Sequence, residues 1–246
     1  LIEWIQFLNR SEKKVIVLDC DNTLWKGIIG EDGLQGIRCD LSHEGIMHYH
    51  LQQFLAERKA MGFLLCLCSK NNEADVQEAF ETLQMPLKWD DFILKKVNWL
   101  DKAGNIQQLA SELNLGVDSF VFLDDSDFEV QSVRSMLPGV TVFQIKPDYT
   151  AFLELTKSLY FCRKQLSAED LRKHQQYVEE AARKRDEATF GSMEDYIKSL
   201  DNRLDIRCNE PADFERVAQL TQKTNQFNFN KIAYLANDIE RMVDAG

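Results

Sequence analysis

The chain has 246 residues, 44% of them hydrophobic and 28% charged, with a formal net charge of −11. That length and balance belong to a globular domain with room for a smaller second piece, and no apolar run approaches the roughly 20 residues of a membrane span. The acidic balance argues against a general nucleic-acid binder, because phosphate contacts need lysine and arginine.

Leu1 to Leu8 is a short amphipathic lead-in, without the form of a signal peptide. Val15-Ile16-Val17-Leu18 then reads as a strand buried on both faces, running straight into Asp19-Cys20-Asp21-Asn22-Thr23-Leu24-Trp25. In an extended chain Asp19 and Asp21 fall on the same side, and two like charges so close need a cation or a shared proton. Glycines at 27, 30, 33 and 36 predict a tight hairpin or flap, about 26–43, over the end of that strand. A helix is expected from Glu44 to Met61, stopped by Gly62, then a second buried strand over 63–68 that ends at Ser69-Lys70-Asn71-Asn72.

The alternation continues with a helix from Glu73 to Leu83, a short strand Phe92-Ile93-Leu94, and a helix from Lys102 to Leu113. Phe120 to Leu123 is a fourth strand, running into Asp124-Asp125, followed by a helix from Glu129 to Met136 and a strand from Val140 to Phe143. Strands alternating with helices specify an α/β fold with a doubly wound parallel sheet. Its polar residues gather at the carboxyl ends of strands one, two and four, where such folds build their sites. The expected organisation is this domain over 1–162, a helical connector over 163–202, with a charged helix to about Ala188 and a short one from Met193 to Leu200, and a further segment over 203–246. That last segment would hold a strand from Arg203 to Arg207 and a helix beginning at Phe214. The absence of a natural-looking terminus at either end suggests a piece of a longer protein.

Asp19, Asp21 and Thr23 resemble the first motif, D-x-D-x-T, of the haloacid dehalogenase (HAD) superfamily of phosphotransferases, and three later positions fit that resemblance. Ser69 ends strand two, where a hydroxyl beside free backbone N–H groups can hold a phosphoryl oxygen. Lys102 opens a helix, and its ammonium can neutralise phosphate and carboxylates; Lys70, Lys95 and Lys96 compete for that role. Asp124 and Asp125 would complete a Mg²⁺ site with Asp19 and the Asp21 backbone carbonyl, Asp125 as the favoured direct ligand. Glu129 is either a helper of that site or a solvent-exposed acid. His43, His48 and His50 are too poorly spaced for a joint metal site, which leaves surface positions or one substrate contact.

A finer resemblance is to the FkbH-like branch of the superfamily. It rests on Asp19 to Trp25, Ile29-Gly30-Glu31-Asp32-Gly33, Cys68 to Asn72, Asn98-Trp99 and Thr224-Asn225-Gln226-Phe227-Asn228. The resemblance implies dephosphorylation of 1,3-bisphosphoglycerate, a glyceryl thioester on an enzyme cysteine, and transfer to the phosphopantetheine thiol of an acyl carrier protein in polyketide biosynthesis. It also implies the beginning of a GNAT-like domain over 203–246, other domains of a larger synthase as partners, and no nucleic acid or membrane.

On that reading Thr23, Ser69, Lys70 and Lys102 bind the substrate phosphate and Cys20 attacks the acyl carbon. Asp21 moves protons, and Asp19 ligates the metal. Strict strand alternation would instead turn Cys20 away from both aspartates as a space-filler, with Cys39 as the next candidate thiol. The alternative is a Mg²⁺-dependent phosphatase of a small phosphometabolite with Asp19 as nucleophile. The six cysteines lack a C-x-x-C pair, which suggests a reducing, cytoplasmic compartment. A basic patch for an acidic carrier is expected among Arg163, Lys164, Arg172, Lys173, Arg183, Lys184 and Arg185.

Overall fold

The computed structural model describes residues 12–146, 148–162, 177, 179, 183, 192–199, 203, 208–223 and 232–244. The chain divides into two compact units, Leu1–Thr189 and Phe190–Gly246. In the first, β1 (Val15–Leu18), β2 (Leu64–Ser69), β3 (Phe92–Val97), β4 (Phe120–Asp124) and β5 (Thr141–Gln144) form one sheet in the order β3-β2-β1-β4-β5. Every neighbouring pair is parallel, with Leu18 opposite Leu67 on one side and Leu123 on the other.

Side-chain alternation sorts the strands onto two cores. Ile16, Leu18, Leu65, Leu67, Val121 and Leu123 face a layer containing α2 (Ile46–Ala60) and α3 (Glu73–Thr82), through Leu51, Leu55, Val76 and Phe80. Val15, Val17, Leu64, Cys66, Phe120 and Phe122 face α4 (Lys102–Glu112) and α5 (Asp127–Met136), through Ile106, Leu109 and Val133. Burying each of these large side chains contributes about 1.5–3 kcal/mol, so both faces of the sheet must be covered. The doubly wound parallel architecture read from the sequence is the observed one.

The segment after β1 differs from the predicted hairpin. Lys26 and Arg38 exchange two backbone hydrogen bonds of 2.9 Å as an antiparallel bridge, but the chain between them forms a short helix, α1 (Ile29–Gly36), kinked at Gly33 where φ is +64°. Asp32 explains the helix start, since its Oδ2 accepts from the Ile28 N–H at 2.8 Å. Gly27 sits at φ +99°, and a Cβ there would come within 2.9 Å of that same oxygen. The regular glycine spacing hid a short helix whose first turn Asp32 ties back to the Ile28 N–H.

A helix α6 (Tyr149–Lys157) follows β5 in the first unit. The second unit contains α7 (Met193–Ser199), α8 (Phe214–Lys223) and α9 (Ala236–Asp244); Thr221 Oγ1 accepts from the Tyr234 N–H at 3.1 Å. The lead-in at 1–8, most of the charged connector helix, the strand expected at 203–207 apart from Arg203, and the 224–228 string lie outside the described residues. Among the described residues no helix is long and apolar enough to cross a membrane.

Candidate active site

The carboxyl edge of the sheet carries the chemistry because β1 stops there abruptly. After Asp21 the chain curls back around one carbonyl: the Cys20 oxygen accepts from the N–H groups of Thr23, Leu24 and Trp25 at 3.2, 2.8 and 3.4 Å. Asn22 takes φ +51°, a conformation that asparagine tolerates better than most residues, and its Oδ1 accepts from the Gly27 N–H at 3.0 Å. The curl brings Trp25 back so that its Nε1 donates to Asp21 Oδ1 at 2.9 Å; the Ile29 N–H donates to the same oxygen at 3.1 Å. Asn71, just past β2, donates to Asp21 Oδ2 at 3.0 Å and to Ser69 Oγ at 3.1 Å. Burial raises the Asp21 carboxyl above its ordinary value although these three donors oppose it.

Asp19 is held through a single oxygen. Its Oδ1 accepts from Ser69 Oγ at 2.8 Å and lies 2.8 Å from Lys102 Nζ, while Oδ2 has no hydrogen-bond partner among the described residues. Lys102, 4% exposed at the first turn of α4, also donates to Asp124 Oδ2 at 2.6 Å. Burial alone would lower the Lys102 pKa, but the charges of Asp19 and Asp124 outweigh it and hold the ammonium above its ordinary value. Asp124 Oδ1 accepts from the Ser126 N–H at 2.9 Å. Gln144 fixes the neighbouring backbone, donating to the Asp125 carbonyl at 3.1 Å.

Asp19, Asp124 and Asp125 bring carboxylate oxygens within 4.8 Å of one another. Burial, then the Asp19 charge, pushes Asp124 up to about 7 and Asp125 up to about 6. One ammonium does not balance three converging carboxylates, and an all-oxygen donor set of this kind fits a hard divalent cation such as Mg²⁺. The Asp21 side chain is outside that group, its two oxygens being occupied by Trp25, Ile29 and Asn71.

Of the competing lysines, only Lys102 reaches Asp19. Lys70 pairs with Glu129 at 2.7 Å, Lys96 with Glu112 at 2.6 Å, and Lys95 donates to the Phe92 carbonyl. Thr23 is fully buried, and its Oγ1 has no hydrogen-bond partner among the described residues. Cys20 continues the Ile16–Leu18 face into the hydrophobic core and is 0% exposed. Burial, with the charge of Asp19, holds its thiol well above the ordinary value, although the Ser69 hydroxyl and Lys102 oppose this. Cys39 is also buried, its thiol pushed up to about 12. Of the expected basic patch only Arg183 lies among the described residues, and it is exposed.

Two further residues take a role in the structure, and a third is placed differently from a surface histidine. Trp25 and Asn71 were visible only as parts of family strings, although their side chains position Asp21. His48, expected at the surface or on substrate, is 3% exposed, with Nδ1 2.8 Å from the Thr23 carbonyl oxygen. It borders an open cavity of about 550 Å³ whose wall includes Asn22, Lys26, Met47, Asp125 and Lys146. The i, i+4 relation of His48 and Gln52 on an otherwise apolar helix face was the one available signal.

No protein-family model matches this chain, and no curated protein matches it. Among solved structures it is similar to the N-terminal part of BF1531 from Bacteroides fragilis, a crystal structure containing a phosphatase domain complexed with Mg. The two share 38% identity at a TM-score of 0.59 over 63% of this chain, which spans 43% of the BF1531 chain. The HAD family enzyme bt-2542 from Bacteroides thetaiotaomicron, solved with magnesium and inorganic phosphate, aligns at 13% identity and a TM-score of 0.40, over 56% of this chain and 98% of that one. With 38% of positions identical across the BF1531 match, the sheet order and the acid-lined carboxyl edge place this chain in the HAD-like phosphatase fold.

Proposed function

We propose that the chain is a Mg²⁺-dependent phosphatase of a small phosphometabolite, with Asp19 as the nucleophile. The observation that carries this reading is the asymmetric clamp on Asp19: Ser69 and Lys102 both hold Oδ1, which leaves Oδ2 to attack phosphorus. Attack forms a P–O bond to Asp19 as the bond to the leaving oxygen breaks, and Asp21 supplies the proton that oxygen needs. Asp21 then takes a proton from the water that releases phosphate from Asp19. Trp25, Ile29 and Asn71 keep Asp21 in one orientation for both transfers. Lys102 offsets negative charge where the phosphoryl group arrives. Asp19, Asp124 and Asp125 would hold Mg²⁺, which when bound supplies charge neutralisation for an anionic nucleophile meeting an anionic substrate. The likeness to the magnesium-bound BF1531 phosphatase domain supports the choice of metal.

The test is release of inorganic phosphate from acetyl phosphate and p-nitrophenyl phosphate. Release is expected with Mg²⁺, to be abolished by chelation, and to fall at least about a thousandfold in Asp19→Asn, a loss on the scale of a missing covalent nucleophile. Asp19→Asn with undiminished turnover would overturn the reading.

Glyceryl transfer from 1,3-bisphosphoglycerate to an acyl carrier protein is a second proposal, and with it a GNAT-like start over 203–246 and a place in a larger synthase. The sequence resemblance supports it, together with the position of Cys20 between Asp19 and Asp21 beside the Ser69 hydroxyl. The burial of that thiol favours the phosphatase. A glyceryl adduct in the intact mass, lost in Cys20→Ala, would favour the transferase.

A further inference from the structure

One wall of the cavity beside Asn22 and Asp125 has no part in the phosphoryl chemistry. His48 enters it from α2 with its Nδ1 against the Thr23 carbonyl oxygen at 2.8 Å. A carbonyl only accepts, so Nδ1 carries the proton and a neutral ring keeps its lone pair on Nε2. Burial, and the nearby Lys26 charge, lower the His48 pKa although the Thr23 carbonyl opposes them, so the neutral form prevails. The ring cannot turn over, because that would set a lone pair against a carbonyl oxygen.

His48 is 3% exposed, and Nε2 accepts from no group among the described residues. Yet Nε2 is not one of the fully buried atoms without a partner, which among those residues are Thr23 Oγ1 and Arg58 Nε. What exposure the ring has therefore includes Nε2, and His48 is among the residues that line the cavity. One turn further on, Gln52 Nε2 donates to the Leu24 carbonyl at 2.8 Å. Two buried α2 side chains thus hold consecutive carbonyls of the loop that follows Asp21. The acceptor is fixed in space relative to the nucleophile before any substrate arrives.

We infer that His48 is a specificity-determining residue: Nε2 accepts a hydrogen bond from a hydroxyl on the organic part of the substrate. The chain therefore acts on small hydroxylated phosphomonoesters in preference to their deoxy counterparts. The inference rests on the phosphatase reading for the position of the phosphate. A deoxy substrate leaves a desolvated acceptor unpaired, and that penalty falls on binding and transition state alike.

The experiment compares glycerol 1-phosphate with propyl phosphate, which differ only in hydroxyls. In the wild-type protein with Mg²⁺, kcat/KM is expected to favour glycerol 1-phosphate by about tenfold to thirtyfold, the size of one lost hydrogen bond to a buried acceptor. His48→Asn places an amide N–H where Nδ1 stands, so it can still serve the Thr23 carbonyl, but it has nothing at the Nε2 position. The ratio should fall in that variant to within about threefold of unity. An unchanged ratio, or equal losses for both substrates, would reduce His48 to a brace for the loop and overturn the inference.

A second readout needs no turnover. In Asp19→Asn protein, the His48 Nε2 nitrogen resonance should move upfield on adding glycerol 1-phosphate and stay in place with propyl phosphate. A resonance that ignores both ligands refutes the role of His48. Absence of phosphate release from both substrates in the wild type refutes the phosphatase reading instead.

Discussion

Removing the Lys102 ammonium tests the electrostatic account of the site most directly. In Lys102→Met the stem is replaced by a side chain of similar length, while Asp19 and Asp124 lose the partner that lies 2.8 and 2.6 Å away. The three side chains are 5%, 8% and 0% exposed, so water cannot take over. Breaking such a pair costs about 3–5 kcal/mol, because it strands buried charge. For a unit of this size, each kcal/mol moves the melting temperature by about 2–4 °C, so the variant should melt roughly 6–20 °C lower in EDTA. A divalent cation is repelled by the ammonium of Lys102 but not by the neutral thioether that replaces it, so Mg²⁺ should stabilise the variant more than it stabilises the wild type. Neutralising one stranded carboxylate as well, in Lys102→Met/Asp124→Asn, should recover part of the loss. Calorimetry or circular-dichroism melts with EDTA and with Mg²⁺ read all three effects. A single variant that melts with the wild type in EDTA would refute the claim that these carboxylates are balanced by Lys102.

Asn71→Ala should lower kcat for phosphate release by about tenfold to a hundredfold at nearly unchanged KM, since a charge-assisted hydrogen bond to Asp21 is worth roughly 1.5–3 kcal/mol; steady-state kinetics read it. Gln52→Leu leaves the Leu24 carbonyl and the Leu87 N–H without their partner and should cost about 2–6 kcal/mol at roughly 1–3 per buried group, measured by urea unfolding. Burial lowers the His48 pKa from its ordinary 6.5, so the folded state binds fewer protons than the unfolded chain. Its contribution is complete above that ordinary value and is lost as pH falls through it towards the folded value. Urea midpoints over roughly pH 5 to 8 should therefore decline more steeply on the acid side in the wild type than in His48→Gln. Iodoacetamide at neutral pH should modify Cys208, which is exposed, and Cys162 before Cys20, and rapid labelling of Cys20 in peptide maps would contradict its burial.

The helix from Glu129 to Met136 and the strand Phe92-Ile93-Leu94 show how local pattern sets element type more securely than extent. The observed α5 starts earlier, at Asp127, because the Ser126 hydroxyl caps it by accepting from the Glu129 N–H at 3.5 Å. The observed β3 runs on to Val97, carrying Lys95 and Lys96, because β2 offers a pairing edge as far as Ser69. A charged pair in a strand contradicts a buried-strand pattern, and only the neighbour supplies the reason to extend.

Taken alone, the sequence determined the parallel architecture and the acidic end of β1, since hydrophobic period and the placement of carboxylates are properties of the chain read residue by residue. Which lysine meets Asp19, and whether the thiol at position 20 faces the crevice or the core, depended on the tertiary structure. Lys102 is 83 positions from Asp19, and pairing them takes the crossover that sets α4 behind β2 and β3 with its first turn at the sheet edge. Cys20 keeps the inward phase of Ile16 and Leu18 because the chain curls only after Asp21. Long-range packing chooses among residues that local chemistry makes equivalent.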